Sequence, residues 1–242
     1  GMIGNNSTGA HSVRYGITQA YVESLTVVLA DGSLLETEPI PLDGPEWEAK
    51  TSGESLEAAL YRTTRRVIEE NGGEIETRYP DLKRVVSGYN LDAVIETNPD
   101  GDRFIDLTEL FVGAEGTLGT VVSATVELVP KPTATALALY CFEDLLDAMR
   151  AVPLALEYDV SAVELMDDRV FELAADSTKY ATYAEHIPDG TRAAVMLEFD
   201  DELVDDFQRA IQRTDERFLD SGRAFDRIEA FDEETQSDLW NL

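Results

Sequence analysis

Apolar and polar positions change rhythm several times along the first 130 residues. From Glu23 to Leu29, Leu25, Val27 and Leu29 fall on one face, the period of a strand. Asp31-Gly32 follows as a hairpin turn of the kind that favours positive φ, and Ser33 to Glu36 returns. Pro39 to Gly53 is polar, rich in Pro and Gly, and reads as a loop. Leu56, Leu60, Thr63 and Val67 then recur at helical spacing behind the cap Ser55, and Asn71-Gly72-Gly73 is predicted to stop that helix. Asp81 to Ile95 carries a weaker signal. Leu107 to Phe111 leads into a glycine turn, and Gly119 to Val129 is predicted to be a buried strand.

Pro130-Lys131-Pro132 breaks this pattern, since proline suits a linker and cannot continue a ladder. A domain boundary is placed there, dividing 1–131 from 132–242. Beyond it, Thr135 to Phe142 reads as a strand and Glu143 to Ala151 as a helix. Ser161 to Met166 and Asp167 to Ala175 form a second such pair. Arg192 to Phe199 is a strand, Asp201 to Ser221 a long helix, Arg223 to Ala230 a strand, and Asp232 to Trp240 a further helix. Strands and helices of this size alternate as in an α+β domain, an antiparallel sheet with helices packed on one face.

Composition narrows the function classes. The 242 residues carry 49 Asp and Glu against 19 Lys and Arg, a net charge of -30. The excess is spread along the chain rather than gathered in a tail. A compact domain so charged repels itself, and salt screens the repulsion. Adaptation to a salt-rich cytoplasm is the expectation, and nucleic acid is excluded as a partner because phosphate binding needs clustered basic residues. The single Cys141 rules out an internal disulfide and reads as a buried thiol. No His or Cys pair has metal-ligand spacing, so no metal is expected. No run approaches the ~18 apolar residues of a membrane span. The chain opens in a polar Gly/Asn turn rather than a secretory leader. A cytoplasmic location is the expectation.

Two glycine-rich turns carry the chemistry. The first is Gly4-Asn5-Asn6-Ser7-Thr8-Gly9-Ala10-His11, running to Tyr15-Gly16; the second is Gly113-Ala114-Glu115-Gly116-Thr117-Leu118-Gly119. Three glycines in seven residues, leading into a β-branched run, suit a loop that offers backbone N–H groups to a ligand. Between them stand Val27 to Gly32 and Gly88-Tyr89-Asn90-Leu91, and the second turn is prefaced by Leu110-Phe111. In this order the segments resemble the FAD-linked oxidases with a para-cresol methylhydroxylase type of flavin domain. The similarity is to the D-lactate dehydrogenase and glycolate oxidase large-subunit branch.

The resemblance implies the second half of the FAD-binding domain over 1–131, then part of a ferredoxin-like cap, of which Glu164-Leu165-Met166-Asp167 is a matching stretch. Family members carry roughly 100 or more further residues before the first turn, the length of a subdomain, including the loop that cradles the FAD diphosphate. A His-rich segment also lies later in the cap. The chain is therefore expected to be a fragment that binds FAD weakly and turns nothing over alone. The resemblance assigns Gly4, Asn5, Asn6, Ser7, Thr8 and Gly9, with Gly113, Glu115, Gly116, Gly119 and Val121, to the flavin. Ser7-Thr8-Gly9 stands where many members have Ala-Gly-Gly. Tyr89 and Asn90 fall on the substrate side; separately, Arg84 is a candidate clamp for a substrate carboxylate, since guanidinium binds carboxylates in a bidentate way, with a solvated arginine as the alternative. No catalytic residue is assigned, and His11 and His186 read as turn or loop residues. The implied activity is oxidation of a 2-hydroxy acid to the 2-oxo acid, with electrons leaving to a quinone or an iron–sulfur partner. A homo-oligomer is compatible with it. Two other readings stay open: a flavin-dependent ether-lipid synthase, and a non-catalytic subunit that pairs with a separate flavin-binding half.

Overall fold

The computed structural model describes residues 1–177, 180–184 and 186–242. The chain forms two compact units: Gly1–Thr8 with Gly16–Val129, and Gly9–Tyr15 with Pro130–Leu242. The stretch Gly9–Tyr15, which holds the short helix α1 (Ser12–Tyr15), thus belongs to the second unit although it lies early in the sequence.

In the first unit, β1 (Val22–Val28) pairs antiparallel with β2 (Leu34–Glu36) through the Asp31-Gly32 turn, where Gly32 has φ +84°. Next come β3 (Ile40–Pro41), α2 (Pro45–Thr51) and α3 (Leu56–Arg78). They are followed by β4 (Ile95–Thr97), β5 (Arg103–Ile105), α4 (Thr108–Phe111) and β6 (Thr120–Val126). The strands make two three-stranded antiparallel sheets, ordered β2-β1-β6 and β3-β5-β4. Their shared core includes Leu25, Val27, Leu35, Leu42, Tyr61, Ile105 and Leu107.

Three expectations change here. Pro39 to Gly53 is not all loop: Pro45 opens α2, at the helix position where a missing N–H costs nothing. Helix α3 does not stop at Asn71-Gly72-Gly73. Asn71 departs from helical geometry (φ -119°, ψ 15°), yet its side-chain amide donates to the Val67 carbonyl at 2.7 Å, and the helix resumes to Arg78. The strand after Gly119 is not buried. Among the described residues β6 pairs with β1 alone, and Val122 and Val126 stay exposed on an edge strand.

In the second unit the elements run β7 (Thr135–Phe142), α5 (Leu145–Ala155), β8 (Ala162–Asp167), α6 (Asp168–Ala175) and α7 (Ala181–Ala184). They continue through β9 (Ala193–Asp200), α8 (Phe207–Phe218), β10 (Asp226–Ala230) and α9 (Glu233–Trp240). The sheet is antiparallel throughout, ordered β10-β7-β9-β8. Helices cover both faces, not one. Ala136, Ala138, Tyr140 and Phe142 share a cluster with Ala148, Ala151 and Ala155 of α5 and with Ile211 and Phe218 of α8. The alternate residues Leu137, Leu139 and Cys141 share another with Phe171 of α6 and Leu239 of α9. Burial on two sides explains why β7 is apolar from Ala136 to Phe142 and β9 from Ala193 to Leu197. Burial also pushes the Cys141 thiol up to about 11, so it stays protonated and inert. Part of the acidic excess serves locally: Asp144, Asp167, Asp206 and Asp232 each cap a helix by accepting backbone N–H bonds.

Candidate flavin-binding cleft

The two glycine turns, about a hundred residues apart in sequence, lie against each other within the first unit. The Glu115 N–H donates to the Gly4 carbonyl at 2.7 Å, and the Gly113 N–H donates to the Ile3 carbonyl at 3.0 Å. Asn6, at φ +50°, and Glu115, at φ +52°, hold left-handed backbone that side chains disfavour. Gly113 sits at φ +84° where a Cβ would stand 3.4 Å from Asn6 Cβ and from the Gly88 carbonyl oxygen. Those contacts are ordinary packing; it is the left-handed φ that favours glycine there.

Their outer side forms a cleft of about 650 Å³, within the range of small-molecule sites. Gly4, Asn5, Glu115, Gly116, Gly119 and Val121, all flavin positions by the resemblance, line it, with Ile3 and Phe111 adding apolar surface. Gly116 is exposed, and among the described residues its amide donates to no protein acceptor. A Cβ on Gly119 would stand 2.5 Å from Val27 Cγ1 and 2.9 Å from the Val28 carbonyl oxygen, so this glycine brings the turn onto β1. A wall of glycines and an unused amide beside apolar surface fit a planar, hydrogen-bond-accepting ring.

The remaining sequence-derived residues lie elsewhere. Asn6 is buried behind the wall, not on the cleft, and Gly113 packs against it. Ser7 donates to the exposed Asn5 Oδ1 at 2.6 Å, Thr8 is exposed, and Gly9 belongs to the second unit. Of the three substrate residues, Asn90 is buried and donates to the Val112 and Glu109 carbonyls, closing the end of α4. The Tyr89 hydroxyl pairs with Thr117 Oγ1 at 2.8 Å, tying this loop to the second turn. Arg84 is exposed on the same loop and lines neither the flavin-side cleft nor the second one described next.

Behind the first turn is a second cleft of about 610 Å³, and the sequence carried no motif for it. Gln19, Asn90 and Glu109 line it. Gln19 bonds Asn6 twice: its N–H donates to Asn6 Oδ1 at 2.9 Å, and its Oε1 accepts from Asn6 Nδ2 at 2.9 Å. Gln19 Nε2 in turn donates to Glu109 Oε2. Burial pushes the Glu109 carboxyl up to about 7, against the pull of the Gln19 hydrogen bond, with Asp106, Glu96 and Asp92 adding repulsion.

His11 is more than a surface residue. Its Nε2 lies 2.7 Å from Glu198 Oε1, which also accepts from Ser161 Oγ at 2.7 Å, and its ring lies 5.7 Å from that of Trp240. Arg14 donates to the buried Asp200. These pairs fix Gly9–Tyr15 onto β9. His186 Nε2 lies 3.5 Å from Asp238. No group of His, Cys, Asp and Glu among the described residues could hold a metal ion. No helix among them is long and apolar enough to cross a membrane.

The second unit thus carries an antiparallel sheet clad by helices, and in the first unit the two glycine turns line a cleft. Residues 131–242 match the family described as FAD linked oxidases, C-terminal domain. Over 187 residues, 77% of this chain and 18% of the relative, it is 31% identical to D-2-hydroxyglutarate dehydrogenase of Pantoea ananatis. It is 28% identical to the glycolate oxidase subunit GlcD of Bacillus subtilis over 83% of this chain and 30% of that protein. A solved structure of alkyldihydroxyacetonephosphate synthase superposes with a TM-score of 0.52 at 14% identity, covering 100% of this chain and 36% of that one. The chain belongs to the FAD-linked oxidase family, with the D-lactate dehydrogenase and glycolate oxidase branch among its relatives. It spans 18% of the length of the D-2-hydroxyglutarate dehydrogenase that it matches.

Proposed function

We propose that this chain supplies the flavin-facing wall of an FAD-dependent oxidoreductase that oxidises a 2-hydroxy acid to the 2-oxo acid. The observation that carries it is the hydrogen-bonded meeting of the two turns, Glu115 N–H on the Gly4 carbonyl, which makes one wall out of two distant segments. The relatives' names supply the substrate class, since 2-hydroxyglutarate, glycolate and lactate share a hydroxyl beside a carboxylate. When bound, the flavin would supply the two-electron redox chemistry.

The protein's part is positioning. The Gly116 amide would meet an acceptor on the ring edge, and Gly4, Gly116 and Gly119 keep the wall clear of side chains. Ile3, Phe111 and Val121 exclude water from one side, which strengthens every polar contact made there. Electrons would pass on to a quinone or an iron–sulfur partner. The synthase likeness, at 14% identity, concerns the fold and adds no activity.

Binding of FAD to this chain alone is expected to be weak, because one wall offers few contacts against an undiminished entropy of immobilisation. Titration with FAD, followed by backbone amide NMR, is expected to shift Gly4, Asn5, Glu115 and Gly116 first. If those four stay fixed while amides elsewhere respond, the assignment of the cleft is wrong.

A further inference from the structure

The bonds behind the first turn form a chain in which each member dictates the orientation of the next. An ionised carboxylate can only accept hydrogen bonds. With Glu109 ionised, Gln19 must turn its NH₂ toward Glu109 Oε2, and its Oε1 then faces Asn6 Nδ2. Asn6 is left with Oδ1 toward the Gln19 N–H, the arrangement observed. A protonated Glu109 can donate instead. Gln19 can then reverse its amide, which sets its NH₂ against the Asn6 NH₂, two donors face to face. Asn6 would have to turn as well and give up the Gln19 N–H.

Asn6 is the residue whose left-handed backbone and buried side chain brace the first turn against Gly113. We propose that Glu109 is a positioning residue whose protonation state, read through Gln19 and Asn6, sets the register of the first glycine turn on the second. That the turn faces a flavin rests on the function proposed above; the relay itself does not.

The surroundings put this switch within the working range of a cell. Glu109 faces Gln19 from the turn Thr18–Tyr21, Asp106 beside its own helix, Glu96 from β4 and Asp92 from the segment before it. Glu76, Asp81 and Lys83 line the same cleft from the end of α3 and the loop after it. Negative neighbours outnumber the one lysine. Burial and these neighbours disfavour the ionised form, whereas the Gln19 bond favours it, so ionisation tightens the relay even though it costs the unit stability overall.

The experiment is NMR of the chain as it stands, between pH 5 and pH 9. The side-chain amide signals of Asn6 and Gln19 are followed beside the Glu109 carboxyl carbon. All three are expected to move with one midpoint close to neutrality, and Gln19→Leu is expected to raise the Glu109 midpoint further. In Glu109→Gln the Asn6 signal is expected to lose its pH response. An Asn6 signal that ignores the Glu109 titration in the unaltered chain, where no variant needs to fold, overturns the proposal. So does one that keeps its response in Glu109→Gln. Since no flavin is present, failure here leaves the FAD titration above to judge the cleft separately.

Discussion

Single residues carry two kinds of constraint in this chain, steric and electrostatic. Gly119 shows the steric kind, because the clash expected from a Cβ is with β1 itself: Val27 Cγ1 at 2.5 Å and the Val28 carbonyl at 2.9 Å. A backbone oxygen cannot swing away as a flexible side chain would. Gly119→Ala is expected to destabilise the first unit by about 1–3 kcal/mol, the cost of overpacking. A denaturant melt monitored by Trp47 fluorescence measures it. The electrostatic kind is the His11–Glu198 pair. The hydrogen bond that His11 donates to Glu198 raises His11 above its ordinary 6.5. Burial opposes ionisation of Glu198, yet bonds from His11, Ser161 and Trp240 prevail and hold it below 4.5. The histidine's contribution is full below pH 6.5 and is lost as pH rises through its folded value. The glutamate's is full above pH 4.5 and is lost as pH falls through its own. The pair therefore stabilises the second unit most between those two values. Glu198→Gln is expected to return His11 toward 6.5 in an NMR titration and to cost about 1 kcal/mol, since His11 is half exposed. A His11 pKa unmoved by that substitution would remove the pair from the account.

At the scale of elements, α3, α5 and β6 depart from what their local composition signals. Asn71-Gly72-Gly73 has the composition of a helix stop, but the Asn71 side chain replaces a helical bond and α3 continues to Arg78. Pro153 lies inside α5, which runs on to Ala155 past the end expected at Ala151, since Ala148, Ala151 and Ala155 share one buried face. β6 is β-branched enough to look like a core strand, yet it flanks a sheet with a single neighbour. Its exposed Val122 and Val126, with Leu128 and Val129 just beyond, leave an unpaired apolar edge of the kind that invites another strand. β7 and β9 show the converse. The apolar stretches Ala136–Phe142 and Ala193–Leu197 signalled burial on both faces, a sign that counting alternate positions passes over.

For the whole molecule, charge is the dominant property. A formal charge of -30 over 242 residues stores repulsion that folding concentrates. Four Asp caps and several ion pairs use a little of it. Raising salt from ~0.1 M to ~1 M shortens the screening length from about 10 Å to about 3 Å. The melting temperature is expected to rise by about 5 °C or more over that range. Calorimetry at several salt concentrations measures it, and a flat or falling trend would show that self-repulsion does not limit stability and that the acidic surface needs another explanation.

By itself, the sequence determined the α+β class, most strand and helix positions, the family, and the two turns, because glycine spacing and apolar periodicity are local properties written in order along the chain. Only the tertiary structure decided which turn residues face the cleft and which brace it from behind. It also placed His11 and Arg14 on a strand nearly two hundred residues away, and it joined Glu109 to Asn6 through Gln19. Those relations depend on distances across the fold and on the loss of water around a carboxyl, and neither leaves a periodic mark in the sequence.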